Sequence, residues 1–262
     1  MTADDETPAF DFERTFDPDN YLPLYEDGVY ELTASAAGTL SNSRADAEHI
    51  AELLDLSGDD RILDLACGHG RVANILDEAG YDVHGLDASR GLLDVAREEA
   101  TTPEGPAYVQ GDMRRLPYEA DRFDAVYNIF NSFGYFSDEE NEQVLSEIAR
   151  AVKDDGRVLM EIVDRDFVVR NLSGSRVYAD EDLVVADELT FEPETGRQIT
   201  DRFLWRDGER VDFQYFLRLY NVTEISAVLE RNGLQIAHLY GDLRGSEYDL
   251  DTRSICLIAR PE

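Results

Sequence analysis

The segment Asp64-Leu-Ala-Cys-Gly-His-Gly70 places two glycines after a short apolar run, with a carboxylate at the start. Glycines there let the backbone approach a ligand closely, and a helix beginning just beyond would offer unpaired N–H donors and a positive dipole end. That arrangement suits an anionic group. Gly68-His-Gly-Arg-Val-Ala73 also fits the dinucleotide fingerprint G-x-G-x-x-G/A. Asp64 argues for a different ligand, because a carboxylate can accept from the ammonium of an amino acid but sits poorly beside a pyrophosphate. Asp87, about twenty residues further on, ends a second apolar run, where a carboxylate can take both ribose hydroxyls of either cofactor class. Gly111-Asp-Met113 follows a third run, with one acidic and one apolar side chain for a ring.

Alternating strands and helices must hold these residues in place. Ala47, Ile50, Ala51, Leu53 and Leu54 recur at helical spacing over 44–56. Strands are predicted over 61–66, 82–87, 107–110, 122–130 and 157–163, and helices over 71–79, 89–100 and 138–153. That rhythm predicts an α/β, Rossmann-like, doubly wound and mostly parallel sheet. It breaks after Asp164. Strand patterns over 183–191, 197–205 and 211–220, joined by Pro193-Glu-Thr-Gly196 and Arg206-Asp-Gly-Glu209, predict a three-stranded antiparallel meander. A helix over 223–231 and strands over 234–240 and 253–259 then restore the pattern. The expected organisation is a core of 44–172 and 221–262, a β insertion of 173–220 lying over the site as a lid, and an N-terminal segment of 1–43 folding over the cofactor site. Trp205 and Tyr215 are assigned to the inward face of the lid.

Lys+Arg 24 against Asp+Glu 57 gives a net charge of −33, and Lys153 is the only lysine. The acids are spread along the chain rather than gathered in a tail, and the periodicity argues against disorder. The pattern resembles that of proteins from halophilic archaea, in which surface carboxylates stay hydrated in molar salt. It also argues against a nucleic-acid partner, which needs a clustered basic surface. No apolar run approaches the ~20 residues that span a bilayer, and the acidic start resembles no signal or transit peptide, so no membrane association and a cytoplasmic location are expected. Cys67 and Cys256 suggest neither a disulfide framework nor a metal site, and His49, His69, His84 and His238 lack ligand spacing. With no base visible beside it, Cys67 is not read as a nucleophile.

Ile62-Leu-Asp-Leu-Ala-Cys-Gly-His-Gly-Arg71, Gly85-Leu-Asp-Ala-Ser89, Gly111-Asp-Met-Arg-Arg-Leu-Pro117, Phe123-Asp-Ala-Val-Tyr-Asn128 and Asp155-Gly-Arg-Val-Leu159 resemble, in order and spacing, the motifs of class I S-adenosylmethionine-dependent methyltransferases. The resemblance implies a seven-stranded sheet of order 3-2-1-4-5-7-6 with the last strand antiparallel. It implies S-adenosylmethionine held by Asp64, Ala66, Cys67, Gly68, Gly70, Asp87, Ala88, Asp112, Met113 and Asn128, with Asp112 and Met113 on the adenine. Ala66 departs from the glycine usual at its position.

Asn20-Tyr-Leu-Pro-Leu-Tyr25, Asn131-Ser-Phe-Gly-Tyr135, Phe216-Leu-Arg-Leu-Tyr220 and Tyr240-Gly-Asp242 further resemble small-molecule methyltransferases with an antiparallel lid. Tyr21 and Tyr25 then either cover the cofactor or pack on the surface. Asn131, Phe133 and Tyr135 line the acceptor pocket, or else Phe133 and Tyr135 simply pack against a helix. Arg218 either lines that pocket or braces the lid. Tyr135 is the candidate for positioning the acceptor, and no catalytic base stands out. The expected activity is methyl transfer to nitrogen or oxygen of a small-molecule acceptor. The rivals are a protein or RNA methyltransferase, a nicotinamide-dependent oxidoreductase and a non-catalytic cofactor-binding module.

Overall fold

The computed structural model describes residues 42–180, 182–206 and 208–262. Within them, α1 (Ser43–Leu53) leads into β1 (Arg61–Leu65), α2 (Ala73–Glu78), β2 (Asp82–Asp87), α3 (Arg90–Glu98), β3 (Ala107–Gln110) and β4 (Phe123–Asn128). Then come α4 (Asp138–Ala151), β5 (Val152–Val163) and α5 (Arg165–Asn171). The insertion supplies β6 (Ser175–Ala179), β7 (Leu183–Glu192), β8 (Arg197–Arg206) and β9 (Glu209–Arg218). The chain returns through α6 (Val222–Arg231), β10 (Leu234–Tyr240) and β11 (Ser254–Pro261).

Seven strands form one sheet of order β10-β11-β5-β4-β1-β2-β3, as the family resemblance implies, with β11 antiparallel to both neighbours. β1 is central because Ile62, Leu63 and Leu65 are all buried, as in a strand covered on both faces. On one face Leu63, Val126, Val158 and Leu257 pack under α4 and α6 through Val144, Leu145, Ile148 and Leu229. On the other, Ile62, Tyr127, Leu159 and Cys256 pack under α1 and α2 through Ala47, Ile50, Leu54 and Leu76. Side chains alternate across each strand, so the two cores follow from one apolar run per strand. No helix among the described residues is long and apolar enough to cross a membrane.

The insertion is a separate antiparallel sheet of order β6-β7-β8-β9, four strands rather than the expected three. β6 has no buried residue, so it leaves no apolar signature in the sequence. α5 escapes for the same reason: none of its residues is buried, and Asp164 fixes its start by accepting from the Asp166 and Phe167 amides at 2.6 and 3.0 Å. β9 ends at Arg218, two residues before the predicted strand end, because Tyr220 turns down into the core beside Phe133. Trp205 and Tyr215 do not share a face. Tyr215 pairs with Thr200 and Trp205 with Arg210, and residues 200 and 205 lie an odd number apart on β8. Trp205 shares its face with Phe203 and Arg210, whose guanidinium lies 5.2 Å from the Trp205 ring centroid.

Candidate active site

β1 runs straight into the glycine turn. The amides of Ala66 and Cys67 both donate to the Leu86 carbonyl, at 2.8 and 3.1 Å, which straps the turn to the end of β2. Ala66, Gly68 and Gly70 all have left-handed backbones, with φ of 63°, 54° and 74°. For alanine that conformation costs about 1–2 kcal/mol. Gly70 also has no room for a side chain, since a Cβ would lie 2.8 Å from that of Ala96. Gly68 faces open space, and its N–H donates to Asp87 Oδ2 at 2.8 Å. The other Asp87 oxygen accepts from the Ser89 amide at 2.9 Å, so two backbone donors fix the carboxylate. Burial raises its pKa while those bonds oppose the rise. The helix beyond the turn is only six residues long and has no side-chain cap, because the chain turns through Arg71 and Val72 before α2 starts.

Asp64 is 4% exposed and its Oδ2 accepts from the Tyr127 hydroxyl at 2.8 Å. Burial pushes its pKa up to about 7; the Tyr127 bond and Arg71 oppose that, and the nearby Asp87 adds to it. A carboxylate held this way is short of positive charge, and an ammonium arriving beside it would lower that pKa again.

Two adjoining cavities open at the carboxyl edge of the sheet, where ligands collect in such folds. The larger, about 430 Å³, is lined by Asp87, Ala88, Leu92, Asp112, Met113, Tyr135 and Phe136, among others. The smaller, about 40 Å³, is lined by Asp64, Cys67, His69, Arg71 and their neighbours. Ala66, Gly68, Phe130 and Ser132 line both.

The structure therefore brings together Asp64, Ala66, Cys67, Gly68, Asp87, Ala88, Asp112, Met113 and Tyr135, with Gly70 directly behind the turn. Asn128 lies apart from both cavities. It is buried, and its Nδ2 donates to the Leu65 carbonyl at 2.8 Å, locking β4 to β1. Phe133 is a core residue, 2% exposed, with its ring 5.6 Å from that of Tyr220. Asn131 has φ 59° and a buried Oδ1 with no partner among the described residues. Arg218, at the end of β9, ties the inserted sheet to its surroundings: it donates to the Leu219 carbonyl, approaches Asp138 at 3.5 Å and stacks over Tyr220. Tyr21 and Tyr25 lie outside the described residues.

Several lining residues carried no signal in the sequence. Phe130 reaches both cavities through a left-handed backbone, φ 57°, which an aromatic residue gives no reason to expect. Arg114 grips Asp112 at 2.7 Å and Glu140 at 2.5 Å, and stacks over Phe136. Glu140 is also the N3 residue of a capping box with Ser137, so the start of α4 and the Asp112 loop are fixed together. The inserted sheet meets the segment that leads into α4. Arg197 donates to Asp138 at 2.7 Å, and the Arg218 amide donates to the Gly134 carbonyl at 2.8 Å.

Known proteins resemble this chain in sequence and in fold. The family described as "Methyltransferase domain" matches residues 62–156. The glycine/sarcosine N-methyltransferase of Aphanothece halophytica is 27% identical, over 90% of this chain and 89% of its own length. The CcbJ methyltransferase from Streptomyces caelestis superposes with a TM-score of 0.79 at 20% identity, covering 96% of this chain and 99% of that one. An S-adenosylmethionine-dependent methyltransferase from Clostridium acetobutylicum gives 0.79 at 18%, covering 90% and 98%. Residues 62–156 thus match a methyltransferase domain, and the chain shares its fold with S-adenosylmethionine-dependent methyltransferases.

Proposed function

We propose that this chain is an S-adenosylmethionine-dependent methyltransferase that methylates a nitrogen or oxygen of a small-molecule acceptor, with an amine favoured. The observation that carries the reading is the make-up of the wall beside the cofactor region. Phe130, Ser132, Tyr135 and Phe136 offer rings and hydroxyls, and the larger cavity has no histidine, lysine or glutamate among its described lining residues. An alcohol acceptor needs a base within hydrogen-bond reach, whereas a neutral amine does not. The name of one relative, a glycine/sarcosine N-methyltransferase, points the same way.

The described residues fit the cofactor part by part. Asp64, a buried carboxylate short of positive charge, suits the ammonium; Asp87, already oriented by two amides, suits the ribose hydroxyls. Met113, Leu92 and Asp112 suit the adenine, with Arg114 sharing Asp112. Bound S-adenosylmethionine supplies a methyl group already activated on sulfur. The protein's task is then to align the acceptor behind that carbon and keep water out. In this reading Tyr135 and Ser132, which line the larger cavity, orient the acceptor, and the inserted sheet acts as a lid through the loop that Arg197 and Arg218 hold.

The test is production of S-adenosylhomocysteine from S-adenosylmethionine with a panel of small amines (glycine and sarcosine included), small alcohols, RNA and unfolded protein. Turnover is expected with small molecules only, amines ahead of alcohols. Turnover restricted to RNA or protein would overturn the reading.

The acidic surface is read as an adaptation to molar salt inside a cytoplasm, with habitat rather than partners setting the charge of −33. Screening shortens the repulsion range from ~10 Å at 0.1 M to ~3 Å at 1 M. The melting temperature should therefore rise steadily from dilute buffer to molar KCl. A flat profile would refute the adaptation.

A further inference from the structure

Glu161, near the carboxyl end of β5, belongs to none of the motifs and to neither cavity lining, yet it is largely buried. Burial raises its pKa, the hydrogen bond from Phe130 and the charge of Arg71 pull it down, and Asp46 and Asp242 push it up. A carboxylate held in such surroundings needs a structural reason. The reason lies in the next strand. Phe130 and Asn131 are consecutive non-glycine residues with left-handed backbones, φ 57° and 59°. Such strain persists only where the surroundings over-determine it, and it gathers at functional sites. Glu161 holds both residues: its Oε2 accepts from the Phe130 amide at 3.2 Å, and its main-chain carbonyl accepts from the Asn131 amide at 3.3 Å. Arg71 completes the clamp, its guanidinium 3.8 Å from the centroid of the Phe130 ring and ion-paired to Asp46 at 2.9 Å.

The ring fixed in this way lines both cavities. One cavity holds Asp87 and Met113, the other Asp64. The cofactor's sulfur is the atom that joins its ribose end to its amino-acid end, so it must pass the wall the two cavities share. We propose that Glu161 is a positioning residue for the methyl-donor centre: it fixes the left-handed Phe130–Asn131 turn and thereby holds the Phe130 ring beside the sulfonium. An aromatic ring there favours the charged sulfonium over the neutral sulfur of the product. The inference rests on the cofactor and not on the acceptor, so failure of the amine reading leaves it standing.

The experiment compares binding of S-adenosylmethionine and S-adenosylhomocysteine by calorimetry, with no acceptor present. Phe130→Ala is expected to weaken S-adenosylmethionine about tenfold and S-adenosylhomocysteine less than threefold. Glu161→Ala should reproduce that selective loss, and the double variant should be no worse than Phe130→Ala alone. Glu161→Gln keeps an oxygen able to accept the Phe130 amide and should restore wild-type selectivity. A merely structural role would lower both affinities in parallel, and that result in Glu161→Ala overturns the proposal, as does a Glu161→Gln variant no better than alanine. If Glu161→Ala does not fold, Phe130→Ala decides with Glu161→Gln: equal weakening of both ligands by the first, or lost selectivity in the second, sinks the idea, and the opposite pair of results supports it.

Discussion

S-Adenosylhomocysteine should bind wild-type protein about tenfold more tightly at pH 8 than at pH 6, and binding near pH 6 should release a proton. The cause is Asp64, whose pKa burial lifts to about 7 in the free protein. Its carboxyl must ionise to receive an ammonium, so the binding-competent fraction falls from about nine-tenths at pH 8 to about one-tenth at pH 6. The stability sign is opposite. A carboxyl whose folded pKa is raised contributes most below about pH 4, the unfolded value, and that contribution is lost as pH rises through about 7. Bound cofactor should cancel the loss. Asp64→Ala should weaken S-adenosylhomocysteine by thirtyfold or more, since losing the partner of a buried charge costs about 2–5 kcal/mol, and should abolish the pH dependence. Calorimetry in buffers of different ionisation enthalpy measures both quantities. An affinity flat between pH 6 and 8 would remove Asp64 from the ammonium site.

The second large effect lies in the inserted antiparallel sheet, proposed above as a lid. Asp187 on β7 and Arg202 on β8 are opposite each other in register and form a two-pronged ion pair at 2.6 and 2.7 Å, with side chains 6% and 11% exposed. Burial works against the Arg202 charge, and the hydrogen bonds and charge of Asp187, together with Tyr215 and Tyr178, outweigh it. Removing one partner leaves a buried charge alone, at a cost of about 3–5 kcal/mol. Asp187→Ala should therefore loosen the lid, seen as lost amide protection in β7 and β8. Acceptor turnover should fall at least tenfold, while S-adenosylhomocysteine affinity stays within threefold of wild type. The paired change Asp187→Leu with Arg202→Met should recover the protection, because two apolar side chains replace two charges. Equal loss of cofactor binding and turnover in folded Asp187→Ala would show that the insertion belongs to the cofactor site.

The parts of this molecule legible in its sequence were local. Asp64, Gly68, Gly70 and Asp87 announce themselves because each lies in or just after a short apolar run, and the chemistry of a strand-to-helix turn depends on near neighbours. The strand order came with the family resemblance, since seven short strands admit many orders on periodicity alone. What stayed hidden depends on distant contacts. Nothing near Phe130 tells that Glu161 will hold it in a left-handed conformation. Asn128 and Phe133 sit in motif-like positions, yet one ends as a strand clamp and the other as core. Trp205 and Tyr215 fell on opposite faces because a strand's register, not its composition, decides which way each side chain points.

The order of the large sheet also has a consequence for how the chain assembles. β11 lies between β5 and β10, although the whole lid, α6 and β10 precede it in the chain. On a ribosome, the outer edge of β5 thus has no strand to pair with while residues 164–253 are being made. An open parallel edge of apolar residues is an invitation to pair with another chain. In molar salt a coat of carboxylates acts over only ~3 Å, so the charge of −33 would oppose such pairing only at the contact distance where strands meet.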